Sequence, residues 1–210
     1  MQAQGGEPRV HALSRRRVSS ASEVLTRVFL ADPMWASILP DESTRERLMR
    51  PMWKALVRYA LVYGETMVTH DAAGVACWLV PNHTKTTTLR MIRTGMGLPR
   101  AVIRFPRAER FRFLQAMSLL DAYHTRHMPD PHWYLWALGV TPTRQRQGLG
   151  TALLQPILSR ADREDRACYL ETQTAGNVAF YEKLGFRVIE EANVADQPIH
   201  IWFMRRDPTS

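Results

Sequence analysis

Residues Leu138-Gly139-Val140-Thr141-Pro142-Thr143-Arg144-Gln145-Arg146-Gln147-Gly148-Leu149-Gly150-Thr151-Ala152-Leu153-Leu154 set an apolar strand end, a short basic turn with two glycines and a helix start in immediate succession. Such a join aims unpaired backbone N–H groups at one point, and the helix dipole favours negative charge there, so the stretch reads as a phosphate site. Gly148 and Gly150 let an anion approach backbone that a Cβ would shield, while Arg144 and Arg146 offer charge-assisted hydrogen bonds. The turn is not a P-loop, because no Gly-Lys-Ser or Gly-Lys-Thr follows a first glycine at the required spacing. It is not a dinucleotide fingerprint either, since the first glycine of that motif is missing and the βαβ context is absent.

Working outward, the pattern predicts strands at 133–140, 167–172, 186–191 and 200–204, with helices at 150–161 and 177–184 between them. Upstream it predicts a strand at 9–13, a helix at 19–31 capped by Ser19 or Ser20, and a longer helix at 43–63 that buries Trp53. Runs 66–69 and 75–80 read as an antiparallel hairpin across His70 to Gly74, and 113–126 reads as another helix. Alternating strands and helices imply an α/β fold in which helices flank a mixed central β-sheet.

The chain has 210 residues, 45% of them apolar, enough to bury a core as one domain over 9–206 with a flexible 1–8 and a 207–210 tail. No basic region precedes an apolar stretch near Met1, and no run is long enough to span a membrane. A cytoplasmic protein without membrane partners is expected. Cys77 and Cys168 are too few for a disulfide framework and read as reduced core thiols, with no metal site.

The net charge is +8, and most of it falls between Lys85 and Arg112, where eight basic residues face Glu109 alone. That stretch reads either as a basic wall over an anionic ligand or as the solvated side of irregular helices. No recognition motif accompanies the charge, so nucleic acid is not an expected partner.

Gln145-Arg146-Gln147-Gly148-Leu149-Gly150 resembles the Q/R-x-x-G-x-G/A acyl-CoA signature of the GCN5-related N-acetyltransferase (GNAT) superfamily. The flanking strand, the following helix and Asn177-Val178-Ala179-Phe180-Tyr181-Glu182-Lys183-Leu184-Gly185-Phe186 complete its C-terminal pattern. The stretches 138–140, 170–172 and 177–186 look more particularly like the branch that includes puromycin N-acetyltransferase. The resemblance is sharpest over 133–206. It implies a bulge in strand 133–140 that splays it from strand 167–172 and opens an acyl-CoA cleft, as a bulge frees backbone groups to bind an amide-rich cofactor.

On that resemblance acetyl-CoA is the cofactor: backbone at Leu138, Gly139 and Val140 would meet the pantetheine arm, and Gln145, Arg146, Gln147, Gly148, Leu149, Gly150 and Thr151 the pyrophosphate. Arg146 stands where the family often has glycine. Tyr181 would protonate the departing thiolate, against the plainer reading that it only packs; Asn177 would position cofactor or water, against a cap alone. Glu171 is the candidate general base, against a structural carboxylate paired to an Arg, with His132 and His200 as weaker candidates.

The implied reaction is direct acetyl transfer to a primary amine of a small molecule, of the antibiotic or detoxification-substrate kind, by a monomer or homodimer. The alternatives are transfer to a protein or peptide amine, and a non-catalytic acyl-CoA-binding module. Acceptor recognition is expected at Phe29, Trp35, Tyr59 and 112–123, with Trp133, Trp136 and Trp202 shaping the pocket or packing the sheet.

Overall fold

The computed structural model describes residues 9–95 and 97–209, so the expected flexible segment 1–8 and the last residue of the expected tail lie outside the described residues. The chain opens with β1 (Val10–Ala12), α1 (Val18–Phe29), α2 (Pro33–Ile38) and α3 (Glu42–Tyr63). The hairpin follows as β2 (Gly64–Thr69) and β3 (Gly74–Leu79), then α4 (Thr88–Arg93), α5 (Gly97–Ile103) and α6 (Arg107–His127). The last third contains β4 (Trp133–Val140), α7 (Leu149–Arg163), β5 (Cys168–Thr172), α8 (Ala175–Glu182), β6 (Arg187–Asn193) and β7 (His200–Arg206).

The seven strands form one sheet in the order β1-β2-β3-β4-β5-β7-β6. Only β4 and β5 run parallel, which makes the sheet mixed, as expected. Strand alternation divides the core. Val75, Cys77, Leu79, Ala137, Tyr169 and Phe203 face the α1–α3 side, while Ala76, Trp78, Trp133, Leu135, Leu170 and Met204 meet Leu153, Leu154, Ile157 and Leu158 of α7. Both cysteines are free and buried.

Several local expectations are corrected. Ser19 and Ser20 lie inside α1, whose N-cap is Arg17 without a side-chain cap bond. Asn177 does not cap α8: Thr174 does, its hydroxyl accepting from the Asn177 backbone N–H at 3.3 Å. The stretch after Asp32 holds α2. There Asp32 Oδ1 accepts from the N–H groups of Met34 (3.0 Å) and Trp35 (3.2 Å), and Pro33 occupies the first turn, where its missing N–H costs nothing. Helix α6 starts at Arg107, directly after Pro106, and together with α4 and α5 it makes most of the basic stretch helical.

Candidate active site

The wedge that positions the site comes from strand pairing. Register along β3 and β4 jumps from Cys77↔Ala137 to Trp78↔Leu135, leaving Trp136 as the extra residue of a bulge. Strands β4 and β5 pair only at Trp133↔Cys168 and Tyr134↔Tyr169 and then diverge. The edge of β4 from Leu135 to Val140 therefore presents backbone groups with no strand beside them among the described residues.

At the open end of the wedge, Arg146 (φ +59) and Gly148 (φ +76) both adopt left-handed backbone, curling the turn into a nest. The first helical bond of α7 is Ala152 N–H to Gly148 C=O at 3.0 Å, so the N–H groups just before it are not used by the helix. Nothing lies within 4 Å of the position a Cβ would take on Gly148, so the nest faces open space. The left-handed φ explains why glycine is common at position 146 in the pattern this chain resembles: a side chain there is strained, and Arg146 carries that strain. Gln145 braces the turn by donating from Nε2 to Val140 C=O at 3.1 Å, and Arg144 is held by Asp71 and by Gln147 Oε1.

A cleft of about 1390 Å³ runs from this nest through the wedge into the helical side. Its walls bring together Leu138, Val140, Gln145, Arg146, Gly148, Leu149, Gly150, Thr151, Glu171, Asn177 and Tyr181 from the expected set. Two expected residues lie off it. Gly139 faces α1, where an added Cβ would stand 3.0 Å from Leu25 Cδ2, and Gln147 points to the outer side of the turn, its amide bonded to Thr143 C=O.

Glu171 projects from β5 into the cleft, and no arginine among the described residues pairs with it. Its Oε2 accepts from the Tyr134 hydroxyl at 2.8 Å, and its Oε1 is buried without a partner. Burial pushes the carboxyl from its ordinary 4.5 to about 8, against the pull of the Tyr134 and Tyr169 hydroxyls. Tyr181 is buried at the other wall, and burial raises its phenol well above the ordinary range, which keeps the proton on oxygen at neutral pH. Asn177 donates from Nδ2 to Thr172 Oγ1 at 3.0 Å, tying α8 to the end of β5.

The inner end of the cleft is aromatic and thioether-rich: Phe29 stacks on Trp53 at 4.5 Å, Trp35 on Phe113 at 5.8 Å, and Met34, Met52 and Met117 fill between. Phe29, Trp35 and the α6 face thus line the cleft as expected, and Trp136 lines it too. Tyr59 does not. It is fully buried behind Trp136, 5.2 Å away between ring centroids. Trp133 packs in the opposite core and donates to Glu164, and Trp202 contacts His200 on the β6–β7 edge. His200 itself bonds Asn193 and Glu191, away from the cleft. Sequence reasoning missed Asp32, His124 and Tyr134 as cleft residues. The Asp-Pro pair at 32–33 was a readable cap signal, whereas Tyr134 and His124 are placed by strand register and helix packing alone.

No helix among the described residues is long and apolar enough to cross a membrane, and no group of three metal-ligating side chains occurs among them.

The acetyltransferase (GNAT) family matches residues 116–186 of this chain. Among solved structures, a protein described as histone acetyltransferase HPA2 and related acetyltransferase from Corynebacterium glutamicum superposes with a TM-score of 0.68 at 21% identity, covering 97% of each chain. Arylalkylamine N-acetyltransferase 2 from Aedes aegypti gives 0.61 at 15% identity, covering 97% of this chain and 100% of its own. The acetyltransferase yncA from Salmonella typhimurium, solved with acetyl-CoA, gives 0.55 at 13% identity, covering 98% and 96%. The chain therefore has the GNAT acetyltransferase fold.

Proposed function

We propose that the protein is an acetyl-CoA-dependent N-acetyltransferase that acetylates a primary amine of a small molecule by direct attack in a ternary complex. One observation carries the reading: a single cleft joins an anion-binding nest, a strand edge with free backbone groups, and an aromatic cavity, with Glu171 and Tyr181 in its walls. The nest fits a pyrophosphate because Gly148 leaves its N–H groups unshielded, and the free edge of β4 fits an amide-bearing arm. Acetyl-CoA, when bound, supplies the acetyl thioester.

The remaining chemistry belongs to side chains of this chain. Glu171 takes the proton of the attacking nitrogen, directly or through a water, while Tyr134 holds its Oε2. Tyr181 Oη gives its proton to the leaving sulfur. Neither buried thiol serves as a nucleophile, because burial pushes Cys77 and Cys168 up to about 12 and neither lines the cleft. A cavity walled by Trp35, Trp53 and Phe113 suits a compact organic amine better than an extended peptide.

Calorimetric titration with acetyl-CoA and with free CoA tests the reading. Saturable micromolar binding is expected, followed by thiol release with members of a primary-amine panel; puromycin belongs in it because of the branch resemblance. No binding to folded protein would overturn the enzyme reading, whereas binding without thiol release from any amine would favour a non-catalytic acyl-CoA-binding module.

A further inference from the structure

Two buried histidines lie outside the chemistry described so far. His124, on the last turns of α6, lines the cleft, and its Nε2 sits 2.8 Å from Nε2 of His132 at the entry of β4. His132 Nδ1 lies 2.7 Å from the Asp130 backbone carbonyl. A carbonyl only accepts, so His132 carries its proton on Nδ1. Its Nε2, in a neutral ring, is then an acceptor, and the hydrogen in the histidine–histidine contact must come from His124 Nε2. His124 is left with its proton on the far side and a bare lone pair on Nδ1, for which no protein donor exists among the described residues.

The ring cannot swing away from this arrangement. His124 stacks on Tyr169 with centroids 5.0 Å apart and planes 17° apart, and Tyr134 lies against it at 4.5 Å. The same Tyr134 bonds Glu171, so the imidazole and the carboxylate flank one tyrosine on one cleft wall. Both histidines are buried, at 4% and 2% exposure, and burial is the main reason both lose basicity, His124 to about 3. A neutral ring is the form that can accept.

We propose that His132 and the Asp130 carbonyl lock His124 as the Nε2–H tautomer, so that its Nδ1 accepts a hydrogen bond from the acceptor amine and orients that nitrogen beside Glu171. The amine part of this proposal rests on the acetyltransferase reading; the tautomer lock does not. Because Nδ1 accepts without titrating, it binds an ammonium and a free amine alike and leaves proton removal to the carboxylate.

Nitrogen NMR on full-length protein with isotopically labelled histidine, at neutral pH, tests both parts. His124 is expected to show a bare Nδ1 and a protonated Nε2, and butylamine or phenethylamine at millimolar concentration is expected to shift the Nδ1 resonance. In His132→Phe the lock is gone, so His124 is expected to move toward the Nδ1–H tautomer and to lose about tenfold in amine affinity, with acetyl-CoA affinity unchanged. A wild-type His124 protonated on Nδ1 would overturn the lock. A locked ring whose Nδ1 resonance neither amine moves would overturn the recognition role. Both readouts come from wild-type protein, so a poorly folding variant does not blunt the test. Failure of the acetyltransferase reading would appear separately, as absent acetyl-CoA binding with the tautomer intact.

Discussion

The two ends of the cleft differ in how far along the chain their parts are drawn from. The nest, the wedge edge, Glu171 and Tyr181 all come from β4 through α8, a run in which each element follows the last by a short loop. The aromatic end draws Phe29, Trp35, Trp53, Phe113 and Trp136 from five separate elements that only tertiary packing brings together. Local chain chemistry thus builds the end at the glycine turn, and long-range burial builds the aromatic end. Turn conformation and capping act over a few residues, whereas an aromatic wall needs surfaces that meet after collapse.

If the contrast is right, damage at the first end should separate from damage at the second. Tyr181→Phe is expected to lower turnover by about a hundredfold or more with acetyl-CoA affinity unchanged, since only the transferable proton is lost. Full turnover in that variant, measured by thiol release, would remove the assigned acid. Glu171→Gln is expected to cost a similar factor and to remove the rise in rate centred near pH 8. In the wild type the rate should climb as pH rises through about 8, because the carboxyl holds its proton below that value. Stability runs the opposite way: the folded protein binds this proton more tightly than the unfolded chain, so Glu171 becomes less favourable to folding as pH rises from 4.5 to about 8. Glu171→Gln should accordingly gain in melting temperature relative to wild type at pH 8 and gain little at pH 5. An equal gain at both values would contradict the raised carboxyl.

Arg206 tests whether the scaffold at the C-terminal end of α7, the end away from the nest, is a unit. It forks onto Asp162 of α7 at 2.7 and 2.8 Å and donates to Leu184 C=O, joining β7, α7 and the end of α8. Arg206→Met should cost about 3 kcal/mol, seen by denaturant unfolding. The bond holds Asp162 down at about 2 from its ordinary 3.8, so this contribution is present above pH 3.8 and fades as pH falls toward 2. Phe113→Ala, at the other end, should weaken amine binding roughly tenfold by removing the ring stacked on Trp35, while acetyl-CoA binding holds. Parallel loss of both ligands would erase the distinction between the ends. The smallest effect is expected at position 146: Arg146→Gly should be about 1 kcal/mol more stable than Arg146→Ala, because only glycine escapes the left-handed penalty.

The legibility of the chain follows the same division. The bounds of β4 were readable to the residue, since a continuous apolar run starts after Pro131-His132 and ends at Thr141-Pro142. Asn177 was misread as a cap because Thr174 and Asn177 are both good capping residues, and the choice depends on where β5 lets the helix begin. Glu171 was readable as a cleft carboxylate but not as a tyrosine-held one: Tyr134 reaches it through the β4–β5 register, which no local pattern encodes.

By itself the sequence determined the α/β alternation, the glycine-containing turn and the order of the elements, because these depend on residue period, backbone freedom and dipoles within a few positions. Only the tertiary structure decided that Tyr59 is walled off, that Asp32 and His124 border the cleft, and that a buried histidine pair exists. Those outcomes turn on which helix faces are covered and on which strand lies beside which, and burial is a property of the folded whole.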